Sequence, residues 1–558
     1  MKVYAVVGVP PEVQAYAMAK YSRSSKSMLD SIRELSAQRA EEFLNTFYFQ
    51  YGHRSIADLA HLALAVEDVS ILAAVRVVDE QLWDGQERST RYQPFKKTGY
   101  FTPPELDEPA LGRYRAAADA LFAAYDDLTK RLLALLVERV PRPADLDAKA
   151  FERTLRARAF DVSRALLPLA TITSLGQVVN ARVLERQISR LLSDPLPEAR
   201  EIGAALRRAC LEPAARVGRA DANSEDDAGA ASGAHVPAVP SEAVAALNGQ
   251  EGAHRTAGQS GHAAHGHAAN GRANGHAPER HAANGHGDEV RVAPTLVKYT
   301  APSEYAIKSR EILTRLAAEL LAGAGEPDRD AVVELADDET PRDEAVATLL
   351  YRHDPAGHSY RQVQAVVRAM PDATKRRVLE AAVEHRGRHD ELPRELQSGY
   401  AFKFDILMDF GSFRDLHRHR RCVQIVQDPT PDHGVEPASE VFPGALGDEI
   451  ADAALAAGLG AAYDDALAAG LAAARELEQA ALLAAPYLLP LATRTRAMFK
   501  MDAAQAVYMA ELRTAPAGHF SYRRVAWDMH CAFAARAPEL AALGHPTDPS
   551  AVFDLLHR

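Results

Sequence analysis

Five consecutive basic or titratable side chains, His417-Arg418-His419-Arg420-Arg421, follow an apolar run that begins near Tyr400. Such a cluster repels itself unless an anion or solvent relieves it, and directly after a strand or helix it suits a diphosphate. A second group, Glu87-Arg88-Ser89-Thr90-Arg91-Tyr92, lies in the first half. Its hydroxyl and guanidinium, two residues apart, can meet one phosphate, Ser89 by a neutral bond and Arg91 by a charged fork, although a solvated loop has the same spacing. Arg164 stands just before Leu-Leu-Pro-Leu-Ala-Thr, and Asn180-Ala181-Arg182 follows it. Arg182, Arg186 and Arg190 then recur every four residues, on one helix face. That face is open to a phosphate or to pairing with Glu185 and Glu198. Near the end of the chain come Arg513 and the segment Gly518-His519-Phe520-Ser521-Tyr522-Arg523.

Elements must be found to position these groups, and the length of 558 residues calls for more than one core. From about Gly218 to Asp288 the chain is Ala, Gly, Asn, His and Ser with almost no large apolar residue, the composition of a disordered linker. Eight of the 21 histidines fall in it at irregular spacing, which reads as a spacer ahead of a metal store. The flanking halves repeat one another. Ala-Ala-Tyr-Asp-Asp around Tyr125 returns around Tyr463, Leu166–Thr171 is identical to Leu488–Thr493, and Val3–Glu12 has a counterpart in Leu296–Glu304. A duplicated domain follows, with copies at 1–217 and 289–558 about a linker at 218–288. Helical spacing over Arg113–Val140 and Ala451–Leu483, and strand-like runs at Ala60–Val66 and Tyr400–Leu407, predict an α+β domain in each copy: a sheet packed by long helices.

The net charge of −12 is spread along the chain and offers no basic footprint for duplex nucleic acid. No stretch reaches membrane-spanning length, and Met1–Glu12 reads as a short strand into a Pro-Pro turn, so neither secretion nor membrane insertion is expected. Cys210, Cys422 and Cys531 lie far apart, without the spacing of a disulfide framework, zinc site or redox pair. A reducing cytoplasm and no metal are expected.

The order of these motifs resembles the flavin-dependent thymidylate synthase family in both halves, over most of the chain outside the linker. That family carries Arg-His-Arg, seven residues, then Ser-x-Arg, preceded by Gly-His-x-Ser/Thr; an Arg before Leu-Pro, an Asn-x-Arg and a further Arg come later. The first half keeps Gly52, His53, Ser55, Glu87, Ser89, Arg91, Arg164, Asn180, Arg182 and Arg190, but reads Asp79-Glu80-Gln81 where Arg-His-Arg should stand. The second keeps Arg418-His419-Arg420 and Arg513, but has Asp428 and Thr430 for the Ser-x-Arg, and Asp502-Ala503-Ala504 for the Asn-x-Arg. Pro393–Leu396 replaces its Gly-His-x-Ser, with Gly357-His358-Ser359 further upstream.

The resemblance implies reductive methylation of dUMP to dTMP, with carbon from methylenetetrahydrofolate, hydride from FAD, and NADPH to reduce the flavin. It also implies active sites between subunits of a homotetramer, hence a homodimer of this chain forming a pseudo-tetramer. A composite site is expected: Arg418, His419, Arg420, Ser55, Asn180 and Arg182 on FAD; Glu87, Ser89, Arg91 and Arg164 on dUMP. Arg190, and Arg513 as its second-half counterpart, are expected at the uracil ring, where an arginine that keeps its proton stabilises the ionised base. Asp79 and Glu80 would repel a diphosphate, so some pseudo-equivalent sites are expected to be dead. A flavin- or nucleotide-binding paralogue without methyl transfer, or a different flavin-dependent nucleotide-modifying enzyme, remains the alternative.

Overall fold

The computed structural model describes residues 10–20, 54–95, 99–212, 214, 292–330, 332–336, 339–386, 393–396, 402–542, 544–550 and 554–556. The expected strand at Val3, the Gly52-His53 pair and nearly all of the expected linker lie outside them. Contacts gather the described residues up to Glu212 and those from Val292 onward into one compact unit.

In the first copy, strands β1 (His61–Ser70), β2 (Asp84–Glu87) and β3 (Ile172–Asn180) form an antiparallel sheet in the order β1-β3-β2. The second copy repeats it, with β4 (Val333–Leu335) added at one edge. There β5 (Phe402–Asp409), β6 (Val423–Val426) and β7 (Arg494–Met501) give the order β4-β5-β7-β6. The halves are therefore two α+β copies of one plan. Both β1 and β5 were expected as buried strands. Every residue of β5 is buried, whereas β1 alternates and exposes His61 and Ala63. The difference lies in the helices Glu304–Leu321, Pro341–His353, Tyr360–Ala369 and Asp372–Val383, whose apolar faces close a second core over Val423, Ile425 and Met498 of the second sheet.

A short helix leaves the first long strand of each copy: α1 (Ile71–Val78) after β1 and α2 (Phe410–Leu416) after β5. Ser70 caps α1 by accepting from Ala73 N at 2.9 Å, and Asp409 caps α2 by accepting from Ser412 N at 2.8 Å. Each cap is in turn held by a buried partner, and the chemistry is exchanged between copies. Glu198 accepts from Ser70 N (2.7 Å) and Ser70 Oγ (2.6 Å), while Ser521 Oγ donates to Asp409. Two further helices follow the last strands, α3 (Ala181–Leu192) capped by Asn180 and α4 (Ala503–Thr514) capped by Asp502.

The identical hexamers join the copies. Leu169 N donates to Leu489 O (2.9 Å) and Leu491 N to Leu167 O (2.9 Å); Ala170 N donates to Tyr487 O (2.8 Å) and Ala492 N to Ala165 O (3.0 Å). Pro168 faces Pro490 at the centre, where a residue without an N–H leaves no donor to satisfy. The pattern is a local twofold. Beside it the long helix Glu108–Arg139 packs on its counterpart Leu459–Ala480. A Cβ on Gly470 would lie 3.1 Å from Pro490 Cγ and 3.2 Å from Leu121 Cδ2, so the glycine sets how closely these helices approach. The second helix was expected to run unbroken from Ala451. It instead breaks at Gly458, whose φ of +73° is left-handed and ends the preceding helix, Asp448–Ala456.

Glu198 also accepts from Tyr487 O–H of the other copy at 2.8 Å, and burial pushes its carboxyl up. Glu198→Ala strands three buried donors and is expected to cost about 3 kcal/mol in urea unfolding. A loss below about 1 kcal/mol would show that this carboxyl does not join the copies.

Candidate functional site

A cleft of about 790 Å³ opens between the copies, within the range of small-molecule sites. One wall carries Arg418, His419, Arg420 and Arg421 from the loop after α2, with Gln505, Tyr508, Leu512 and Arg513 from α4. The other carries His61, Gln81, Leu82, Asp84, Val178, Val179 and Asn180 of the first copy. Five of the sequence candidates, Asn180, Arg418, His419, Arg420 and Arg513, thus share one surface. Arg421 of the same basic run joins them, and the rest of the lining was not foreseen. Gln505, Tyr508 and Leu512 follow helical spacing and lie on one face, a signal available beforehand. Leu82 and Val178 are visible only once β2 and β3 pair. Leu82, Val178, Tyr508 and Leu512 are all more than two-fifths exposed, an apolar rim beside a cluster of guanidiniums.

His419 orders the basic wall. Arg513 Nε donates to His419 Nε2 at 2.6 Å, which puts the proton of the neutral ring on Nδ1; Nδ1 lies 3.2 Å from the Gln505 side-chain amide, which meets it as an acceptor only with its oxygen turned toward the ring. Tyr508 packs edge-on to the ring, with centroids 5.9 Å apart. Arg420 crosses to the first copy, bonding Trp83 O and the Asp84 carboxylate.

Asp415 leads from this cleft into a buried polar cluster. It accepts from Arg418 Nη2 at 2.9 Å and faces Arg164 Nη1 at 3.7 Å. Burial opposes its ionisation, but Arg164, Arg418, Arg91 and Arg414 together hold its carboxyl below the usual range. Arg164 also donates to Thr90 Oγ1 at 3.4 Å, while its Nη2 and the Nη2 of Arg91 are buried without a partner. Behind Arg164 a cavity of about 20 Å³, room for one water, is lined by Asp161, Asp409, Glu436, His519 and Ser521.

The remaining candidates are placed as follows. Arg91 Nε donates to Asp161 at 2.9 Å, Ser89 Oγ accepts from Arg91 N at 3.2 Å, and Glu87 is bonded by Arg414 of the other copy. These three and Arg164 do not line the large cleft; Asp415 connects them to it. Arg182 pairs with Asp58, because Asn180 caps the helix and turns the next basic residue toward the neighbouring 3-10 turn. The side chain of Ser55, in that turn, lies outside the described residues. Arg190, expected at the uracil ring, instead donates from Nε to Glu80 at 2.9 Å and from Nη2 to Arg76 O at 2.8 Å. A buried carboxylate binds a guanidinium four residues from Arg186, which it also holds. Among the described residues no group of His, Cys, Asp and Glu could hold a metal, and no helix is long and apolar enough to cross a membrane.

Burial, with Arg513 and then Arg418 close by, pushes the His419 imidazole down to about 3. The unfolded ring protonates near 6.5. Its contribution to stability is therefore complete above about pH 6.5 and is lost as pH falls toward 3, at up to about 1.4 kcal/mol per pH unit. In histidine-labelled NMR the His419 ring is expected to stay neutral from pH 8 to pH 5. A ring that titrates near 6.5 would be incompatible with the Arg513 contact.

Comparison with known proteins agrees with the two-copy plan. The family described as Thymidylate synthase complementing protein matches residues 7–214 and again 333–539. The UPF0159 protein of Chlamydia muridarum is 26% identical over 555 residues, covering 94% of this chain and 88% of its own. A flavin-dependent thymidylate synthase of Mycobacterium sp. strain JLS is 29% identical over 147 residues, 26% of this chain and 56% of that one. Among solved structures, the flavin-dependent thymidylate synthase of Helicobacter pylori, complexed with FAD and dUMP, aligns over 36% of this chain and 88% of its own. That alignment has 15% identity and a TM-score of 0.22. With its family matched twice, once in each copy, this chain belongs to the thymidylate synthase complementing protein family.

Proposed function

We propose that the chain is an FAD-dependent thymidylate synthase whose site is assembled from the parts that each copy retains. The observation that carries the reading is Asp415. Through it Arg418, on the wall of the cleft, is joined to Arg164, whose guanidinium bonds Thr90 in the Ser89–Arg91 loop of the other copy. The retained halves of the motif are thus contiguous in space though far apart in the chain.

The residues fit a flavin nucleotide on chemical grounds. Arg418, Arg420 and Arg513 supply charged forks for a diphosphate, Asn180 an amide, and the Leu82, Val178, Tyr508 and Leu512 rim apolar surface for a ring system. When bound, the flavin would supply the hydride for reductive methylation of dUMP by methylenetetrahydrofolate, with NADPH as its reductant. The chain's own share is positional and electrostatic. His419 accepts from Arg513 and so aims a guanidinium along the cleft wall. The unpartnered Nη2 groups of Arg91 and Arg164, with Ser89 beside them, would take a nucleotide phosphate, and Glu87 holds Arg414 next to them. Arg513 rather than Arg190 lies where a fixed positive charge can face a ligand in this cleft. A homodimer bringing four copies together, in the cytoplasm, belongs to the same reading.

A second reading has its own support. Arg91, Glu87 and Arg190 already have internal ionic partners in Asp161, Arg414 and Glu80, the arrangement of a paralogue that binds flavin or nucleotide without methyl transfer. Turnover separates the two. With dUMP, methylenetetrahydrofolate, NADPH and FAD the synthase forms dTMP; the paralogue is yellow and forms none. Arg420→Ala is expected to weaken FAD binding about tenfold, the loss of one charge-assisted bond, with little effect on dUMP. Arg91→Ala is expected to weaken dUMP and spare FAD. Colourless protein that takes up no FAD would sink the synthase and leave only a nucleotide-binding paralogue.

A further inference from the structure

Ser70 and Asp409 hold equivalent places before α1 and α2, and β2 and β6 begin equally far beyond them, so the two loops correspond residue by residue. Glu80 is then the counterpart of His419, Asp428 of Ser89, and Arg76 of Asp415. Asn180 and Asp502 likewise cap corresponding helices, which makes Arg186 and Arg190 the counterparts of Tyr508 and Leu512. The open cleft therefore has a twin, built from the same positions with other side chains.

That twin is full of ion pairs. Glu80, only 3% exposed, accepts from Arg186 Nη2 at 2.8 Å and from Arg190 Nε at 2.9 Å. Asp79 accepts from both terminal nitrogens of Arg394 in the other copy, at 2.6 and 3.0 Å. Asp428 accepts from Arg76 across the copies at 3.1 Å. Where the open cleft has an aromatic ring and a leucine free to meet a ligand, the twin has two guanidiniums clasped by one carboxylate. Burial opposes the charge on Asp79, but Arg394 and then Arg190 hold its carboxyl well below the usual range, so Asp79 stays ionised against Arg394 throughout the physiological pH range.

We infer that the twin cleft is closed by this ion-pair lock, in which Asp79 and Glu80 take the place of an anionic ligand, so that each chain binds one flavin nucleotide and not two. The count in flavin rests on the function proposed above; the lock itself does not. Carboxylates on the chain meet the same guanidinium geometry as a diphosphate, at the effective concentration of a folded protein, and a diffusing anion must displace them to enter.

Two measurements on the full chain test this. Protein saturated with FAD and freed of excess is expected to release one flavin per chain, and two would overturn the inference. In calorimetric titration with inorganic pyrophosphate, Asp79→Asn/Glu80→Gln is expected to bind one more anion per chain than the unaltered protein, because the carboxylates that hold Arg186, Arg190 and Arg394 are neutralised. An unchanged count in a variant that keeps its far-UV circular dichroism would overturn the lock. If the double variant does not fold, Glu80→Gln alone removes the carboxylate that Arg186 and Arg190 share and is titrated in its place, with the same two outcomes. A chain that binds no FAD would remove the flavin reading, and the pyrophosphate increment would still decide the lock.

Discussion

Two hexamers of identical sequence, paired backbone to backbone, hold this molecule together. Their amides reach across the twofold to each other's chain, and their carbonyls serve a second purpose. Thr171 O and Leu169 O accept from Ile71 N (2.9 Å) and Leu72 N (3.0 Å), the first amides of α1; Thr493 O and Leu491 O do the same for Phe410 N (2.9 Å) and Gly411 N (3.1 Å) of α2. Helix N-termini carry donors that no residue of the helix can satisfy, and here the joint between copies satisfies them. The six leucines of the hexamers are each at most 1% exposed, and each contributes about 2 kcal/mol of burial. One short segment thus sets the copy interface and aims both helices that lead to the Asp79-Glu80 and Arg418–Arg420 loops.

Because the joint is made almost entirely by backbone and leucine, it leaves the side chains of those loops free to diverge. One loop has become a cluster of arginines that meets an open, apolar-rimmed cleft. Its twin has become a pair of acids that meets arginines. What changes is how far the chain's own groups engage the guanidiniums. In the twin, one carboxylate clasps two of them. In the open cleft Arg418 and Arg420 each meet one carboxylate, Asp415 and Asp84, and Arg513 meets the His419 ring, while all three still line the cleft, where solvent or a ligand can meet them; Asp415 also keeps the neighbouring arginines from repelling one another. A neutral His419 is part of the same arrangement, since a charged ring would push Arg513 away from the wall.

Much of this was legible in the order of residues. The repeat, the long helices, the first long strand of each copy and the basic cluster after β5 follow from periodicity, an identical hexamer and charge density. Asn180 and Arg513 could be named as site residues because they match the Asn-x-Arg and the further arginine of the family pattern. Other assignments depended on distant partners. Arg190 has the spacing and type of a ligand-binding arginine, but its role is decided by Glu80, more than a hundred residues away, and nothing near Arg190 announces that carboxylate. Arg91 is likewise spoken for by Asp161. The apolar rim was hidden for a related reason: Leu82 and Val178 read as ordinary strand and loop residues until the edge pairing of β2 and β3 leaves them exposed.

The sequence by itself determined that there are two copies, which motif residues each has kept, and that the losses are complementary, because those are statements about identity and order. It could not say which losses face which. Tertiary structure decided that the Arg418–Arg420 cluster and the Ser89–Arg91 loop adjoin through Asp415 and Arg164, while the acids at the matching place in the first copy adjoin Arg186, Arg190 and Arg394. The physical reason is that an ionic group's role depends on the charge within a few ångströms of it, and across a twofold joint those neighbours come from the other half of the chain.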